Sequence, residues 1–263
     1  MNLIAVDIGN TNIAVGLFLK GAEQSIKTIS GEDKEQLLKV LKETWENIPV
    51  SKRSKEGKRD GVIVVSSVKP AWTQWLQETA QREFGEKVLM IGREIPFPID
   101  LSVEKTYHGI IGTDRVLAAA AAYAVVEDAV IITQVGTAVT IDLVDDRGIF
   151  LGGVIVPGLA ASANALKDST AQLPKVDIHK PETVYGKNTL DAINCGIYYS
   201  VVATIQEIIR RYSELIGKWP QTILTGSGAA TIKDDCDFID SYVPNLVVKG
   251  IALAYRKYLD SKE

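Results

Sequence analysis

Residues 4–18 read Ile-Ala-Val-Asp-Ile-Gly-Asn-Thr-Asn-Ile-Ala-Val-Gly-Leu-Phe, and residues 131–144 read Ile-Ile-Thr-Gln-Val-Gly-Thr-Ala-Val-Thr-Ile-Asp-Leu-Val. Each is an apolar strand, a polar residue (Asp7 or Gln134), a Gly turn rich in Thr (at Gly9 or Gly136) and a second strand. Glycine in a tight turn lets backbone N–H groups approach a ligand, and Thr and Asn add short donors. Two such hairpins facing each other make a phosphate clamp. The repeat points to a duplicated ATPase core rather than to a P-loop.

Working outward, strand-type and helix-type stretches alternate along the 263 residues. Leu37, Leu38, Leu41, Trp45 and Ile48 form one helical stripe, residues 61–65 read as a buried strand, and a helix is expected from Pro70. The second half repeats the pattern: strands at 129–134, 137–144 and 149–155, helices from Pro157-Gly158 and from Asn188-Thr189, strands at 221–225 and 237–243, and a final helix from about Lys249. Such alternation predicts an α/β fold of mixed sheets flanked by helices. Two related halves are expected, 1–115 and 116–263.

Composition narrows the function classes. Hydrophobic residues make up 46% and charged residues 24%, as in soluble globular proteins. A net charge of -4 argues against a general nucleic-acid or membrane-surface role. The five basic residues between Ser51 and Asp60 read as a solvated loop, since nothing aromatic is interleaved. Two cysteines without CxxC spacing and two histidines exclude a disulfide scaffold and a His-based metal cage. No basic leader precedes the first strand, and the apolar run 116–126 is shorter than the ~20 residues of a membrane span, so a cytoplasmic protein is expected.

Several motifs carry candidate chemistry. A carboxylate at the end of a buried strand, as Asp7 is, needs a partner such as hydrated Mg²⁺ or a donor; the plain alternative is a hairpin turn built from Asp and Asn. Asp114, in Gly112-Thr113-Asp114-Arg115, suits either a helix cap or a general base beside an anion-anchoring Arg115. Pro157-Gly158 and Thr225-Gly226-Ser227-Gly228 are strand-to-helix turns that also suit an anion, a ribose or an adenine. Gly186-Lys187-Asn188-Thr189 lacks the upstream glycine of a Walker A loop, with Pro181 in its place.

Taken in order, residues 7–12, Ser66-Ser67, Gly112 to Arg115, residues 136–140, 152–158, 186–189 and 225–229 resemble the type III pantothenate kinase family over nearly the whole chain. The resemblance implies the acetate/sugar kinase–Hsp70–actin superfamily, with duplicated ribonuclease-H-like (actin-like ATPase) domains. It implies ATP with Mg²⁺ and transfer of phosphate to pantothenate, the first step toward coenzyme A. It implies ATP phosphates at Asp7, Ile8, Gly9, Asn10, Thr11, Asn12, Ile13, Ala14 and Thr137. Pantothenate is implied at Gly112, Thr113, Asp114, Arg115 and Thr189, with Asp114 as base. A family tyrosine for pantothenate falls on Lys105 by spacing, with Tyr107 nearby. A homodimer with the substrate site near its interface is implied as well. Gln134 is the main departure. The family usually has an aspartate there that helps bind K⁺ or NH₄⁺, and glutamine offers only a neutral oxygen, so cation affinity is expected to fall. Two rival readings follow: a nucleotide-binding regulatory homologue, supported by Gln134 alone, and a kinase of the same superfamily with another acceptor.

Overall fold

A computed structural model of the chain describes residues 1–51, 57–102 and 111–262. Among these, the chain packs as two units, one taking 1–100, 111–121 and 245–262, the other 101, 102 and 122–244.

The first unit is a five-stranded sheet in the order β3-β2-β1-β4-β5. Its strands are β1 (Leu3–Ile8), β2 (Asn12–Leu19), β3 (Ala22–Ser30), β4 (Val62–Ser67) and β5 (Val88–Met90). The β1–β2–β3 meander is antiparallel, while β4 and β5 run parallel to β1 and are reached through helices α1 (Lys34–Glu46) and α2 (Pro70–Phe84). β1 is apolar on both sides of its pleat because both faces are covered, as parallel neighbours require. α1 opens on Asp33, whose carboxylate accepts the Gln36 N–H at 2.8 Å, and buries Leu37, Leu41 and Trp45, each stabilising by roughly 1.5–3 kcal/mol. α2 starts with Pro70 and stops at Gly85, a left-handed cap at φ 68°.

Two further helices, α3 (Thr113–Val126) and α7 (Leu246–Asp260), contribute to this unit, α3 through its first nine residues. α7 lies close enough to α3 that a Cβ on Gly250 would fall 2.2 Å from the Leu117 carbonyl, and one on Gly16 of β2 would fall 2.4 Å from Val248. A division at 115/116 would put α7 with the second half. The small residues Gly16 and Gly250 instead seat it in the first unit, so that unit is discontinuous in sequence.

The second unit holds β7 (Val130–Val135), β8 (Ala138–Val144), β9 (Ile149–Pro157), β10 (Gln221–Thr225) and β11 (Ser241–Tyr242), in the order β11-β10-β7-β8-β9, with a two-residue strand β6 (Asp100–Leu101) at the β9 edge. Helices α4 (Leu159–Ser169), α5 (Thr189–Ile216) and the short α6 (Ala229–Ile232) complete it. By length and hydropathy α5 qualifies as a membrane span, longer than the 116–126 run singled out from sequence. Half of that apolar stretch is buried in the unit, where Ile193, Ile197, Tyr198, Val201 and Ile205 pack with Val139, Ile141 and Leu224.

The duplication extends to individual hydrogen bonds. Reading β1, β2, β3, β4, β5 as β7, β8, β9, β10, β11 gives the same order. Gly31 N–H donates to the Thr11 carbonyl at 2.7 Å, and Gly158 N–H to the Thr137 carbonyl at 3.0 Å. Val68 N–H donates to the Ile8 carbonyl at 3.1 Å, and Gly228 N–H to the Val135 carbonyl at 2.9 Å. Asp7 and Gln134 therefore occupy equivalent places, the former opposite Ser66 and the latter opposite Thr225.

Candidate active site

In the first unit the end of β1 delivers Asp7 beside the turn at Gly9. The carboxylate keeps little solvent. Burial is the main reason its pKa is pushed up to about 8, the nearby Asp114 carboxylate adds to the rise, and a hydrogen bond from Ser66 opposes it. Ser66 is 1% exposed, and its Oγ lies 2.8 Å from Thr113 Oγ1 at the start of α3. Asp114 follows in the first turn of that helix. Burial raises its pKa too, against the opposing hydrogen bond from the Arg115 N–H and the Arg115 charge. A Cβ on Gly112 would come within 2.6 Å of Asp114 Oδ1, so only glycine leaves the carboxylate its place. Two carboxylates with raised pKa values at the ends of buried elements are the chemistry expected of a cation-supporting group and a base.

The turn itself differs from expectation in one detail. Gly9 N–H donates to the Asn12 carbonyl at 3.0 Å and is thus committed to closing the hairpin, not to a ligand. The exposed Asn10 and Thr11 are the turn residues that face outward, while Ile8 and Ile13 pair across the hairpin inside the core and Ala14 pairs with Asp7. Ile8, Ile13 and Ala14 are thus carried by strands, placing the backbone rather than a ligand-reaching side chain.

In the second unit Gln134 sits where Asp7 sits in the first. Its Oε1 is buried without a protein partner, and so is Oγ1 of Thr140, the residue directly opposite it on β8. Neither oxygen carries charge. Thr137 is exposed at the hairpin tip, whose backbone is gripped by glycines: a Cβ on Gly158 would lie 2.2 Å from the Gly136 carbonyl, and one on Gly226, at φ 98°, 2.2 Å from the Val135 carbonyl. Three turns thereby meet with no side chain between them, a cradle into which phosphate oxygens or a ribose fit.

Thr189 belongs to another feature of the second unit. It is the first residue of α5, capped by Asn188, whose Oδ1 accepts the Asp191 N–H at 2.9 Å. Gly186 lies against the first turn of α5, where a Cβ would be 2.0 Å from the Ala192 nitrogen, which accounts for the Gly-Lys-Asn-Thr motif as a tight helix entry. Thr189 lines a cleft of about 550 Å³ with Leu166, Leu173, Lys187, Ile193 and Ile197. Tyr107 and Lys105 lie outside the described residues. Among the described residues no cluster of three or more His, Cys, Asp or Glu could hold a metal ion by side chains alone.

Sequence reasoning included Ser66 and Thr140 in motifs without giving either a role. Both come forward only through strand register, Asp7 opposite Ser66 and Gln134 opposite Thr140.

Two mixed sheets of one strand order, each ending in a glycine-closed turn, make this a protein of the duplicated actin-like ATPase fold. Solved structures agree. A protein described as a candidate Baf family transcriptional activator from Campylobacter jejuni is 18% identical, with 98% of this chain and 99% of that chain covered at a TM-score of 0.59. A candidate N-acetylmannosamine kinase from Listeria monocytogenes is 15% identical, with both chains fully covered at a TM-score of 0.51. At these identities the likeness concerns the fold. The sequence pattern of the type III pantothenate kinase family matches residues 3–211, and the chain belongs to that family. The type III pantothenate kinase of Dehalococcoides mccartyi is 29% identical over 257 residues, 97% of each chain. The protein is accordingly a kinase with an alcohol acceptor, acting on pantothenate in coenzyme A biosynthesis.

Proposed function

We propose that Asp114 is the general base for phosphoryl transfer from ATP to the primary hydroxyl of pantothenate, with the proton passing from that hydroxyl to the Asp114 carboxylate. The observation that carries this is the joining of half-buried Asp7, Thr113 and Asp114 around the buried Ser66. Phosphoryl transfer asks the protein mainly for positioning and electrostatics. A base whose pKa is raised toward working pH is better matched to accepting a proton than an ordinary carboxylate.

Around this base, Asn10, Thr11 and Asn12 in the first unit and Thr137 in the second hold the ATP phosphates, with Ile8, Gly9, Ile13 and Ala14 shaping the first turn. Asp7 holds a divalent cation, Mg²⁺, which supplies charge neutralisation for the phosphates. The carboxylate fits that role because in isolation its burial is unfavourable. Gly112, Thr113 and Arg115 bind pantothenate with Thr189, and Tyr107 stands near them in sequence. Gln134 and Thr140 offer two neutral oxygens to K⁺ or NH₄⁺, a weak set, so the kinase works with little monovalent-cation dependence. Val184, Tyr185 and Leu190 are exposed around the start of α5, which favours a homodimer; light scattering would return a monomer mass if that is wrong.

The deciding test is Asp114→Asn, assayed by ADP release with pantothenate and a panel of other hydroxy acids and sugars. Turnover is expected to fall roughly 10²-fold or more with MgATP affinity kept. Near wild-type turnover would leave Asp114 as part of the helix start only.

A further inference from the structure

Ser66 is a polar residue in an otherwise apolar strand, Val-Ile-Val-Val-Ser-Ser, and it is almost fully buried. A buried hydroxyl without partners is unfavourable, and this one has two: the Asp7 carboxylate, directly opposite in the parallel register, and Thr113 Oγ1 at 2.8 Å. Each hydroxyl has one proton to give. The Ser66 bond lowers the Asp7 pKa, as a bond donated to a carboxylate does, so Ser66 gives its proton to Asp7 and is left to accept from Thr113. The three groups form a polarised chain from the end of β1, through the end of β4, to the first residue of α3. Asp114 is the next residue. Ser67, its neighbour, is differently engaged: its Oγ accepts the Lys69 N–H at 3.1 Å at the entry to α2. The Gly112 carbonyl accepts from the Arg115 and Val116 N–H groups at 3.1 and 3.4 Å. Those bonds lie within the helix itself and do not tie it to the sheet.

We propose that Ser66 is a positioning residue, a hydroxyl link that fastens the first turn of α3 to the Asp7 strand and so sets where the Asp114 carboxylate meets the acceptor hydroxyl. This rests on the reading of Asp114 as base. Ser66 touches neither acceptor nor nucleotide in this account; it acts through Thr113 and Asp7. A displacement of the base by about 1 Å is enough to reduce turnover by up to ~10²-fold, so a link at this point has leverage on the rate.

The experiment is a double-mutant cycle with Ser66→Ala and Thr113→Val, read in three ways: turnover by ADP release, MgADP affinity by calorimetry, and amide hydrogen exchange of residues 113–116 in the ligand-free protein. Each single variant is expected to lose about tenfold or more in kcat. Adding Thr113→Val to Ser66→Ala should lower kcat little further, because both break the same link. Exchange at 113–116 should quicken in both, and MgADP affinity should change less than kcat. Multiplicative losses in the double variant would overturn the proposal, as would kcat within twofold of wild type in Ser66→Ala or unchanged exchange. If Ser66→Ala does not fold, Thr113→Val alone must show both the kcat loss and the faster exchange, or the proposal fails. The base reading stands or falls separately: a dead Asp114→Asn with a fully active Ser66→Ala removes only the link, whereas an active Asp114→Asn removes the base.

Discussion

Replacing Asp7 by Asn is expected to stabilise the ligand-free protein while abolishing its use of MgATP. The folded-state pKa is raised from 3.8 to about 8, first by burial and then by Asp114. Between those two values the unfolded chain gives up a proton that the folded protein keeps, so stability falls as pH rises through this window. At pH 7 the span is about three pH units at about 1.4 kcal/mol each, an upper limit of about 4 kcal/mol. At pH 5 it is under about 2 kcal/mol by the same relation. Asn keeps the shape and still accepts from Ser66 while removing the charge. Relaxation of the carboxylate environment reduces the effect, and a gain of about 5 °C in Tm at pH 7 is expected for a chain of this size, shrinking toward pH 5. Thermal melts of both proteins in chelator at the two pH values measure this, and calorimetry follows MgATP. An Asp7→Asn variant equally or less stable than wild type at pH 7, or a gap that does not depend on pH, would refute the claim that the carboxylate is held at a cost in the free protein.

Gly158→Ala should disturb the second hairpin, since its Cβ would meet the Gly136 carbonyl at 2.2 Å; a loss of roughly 1–3 kcal/mol is expected in urea melts, together with weaker nucleotide binding. Gly250→Ala places its Cβ 2.2 Å from the Leu117 carbonyl, so a loss of the same order, roughly 1–3 kcal/mol, is expected without a direct effect on nucleotide affinity. Turnover in potassium and in sodium should be nearly equal for the wild-type protein, and Gln134→Asp should make it potassium-responsive. Strong potassium activation of the wild type would mean that oxygens other than those of Gln134 and Thr140 complete a cation site.

The paired hairpins were legible because β1, β2, β7 and β8 are mostly apolar runs with a polar residue, Asp7 or Gln134, shortly before a glycine turn. β3 was not legible. It reads Ala-Glu-Gln-Ser-Ile-Lys-Thr-Ile-Ser, and as an exposed edge strand it is held by pairing to β2 rather than by buried side chains. The strand expected at 237–243 contracts to the two residues of β11, and the last helix starts at Leu246, three residues before Lys249. The last helix was legible as an element, yet nothing local says which sheet covers it; Gly16 and Gly250 decide that through contacts more than 100 residues apart in the chain. In the site, Asp7 and Asp114 stood out as charges beside glycines. Ser66 did not, because its partners are set by a β1–β4 register that spans 59 residues.

The discontinuity of the first unit bears on how the chain comes off the ribosome. Residues 122–244 form most of a complete second unit in one continuous stretch, whereas the first sheet waits for α7. At about 5–20 residues per second, the 123 residues between α3's share of the first unit and Asn245 take roughly ten seconds to synthesise. During that interval the surfaces of β2 and α3 that receive Val248 and Gly250 have no covering helix. They are apolar, which makes the nascent first unit a client for holding chaperones until its last helix arrives.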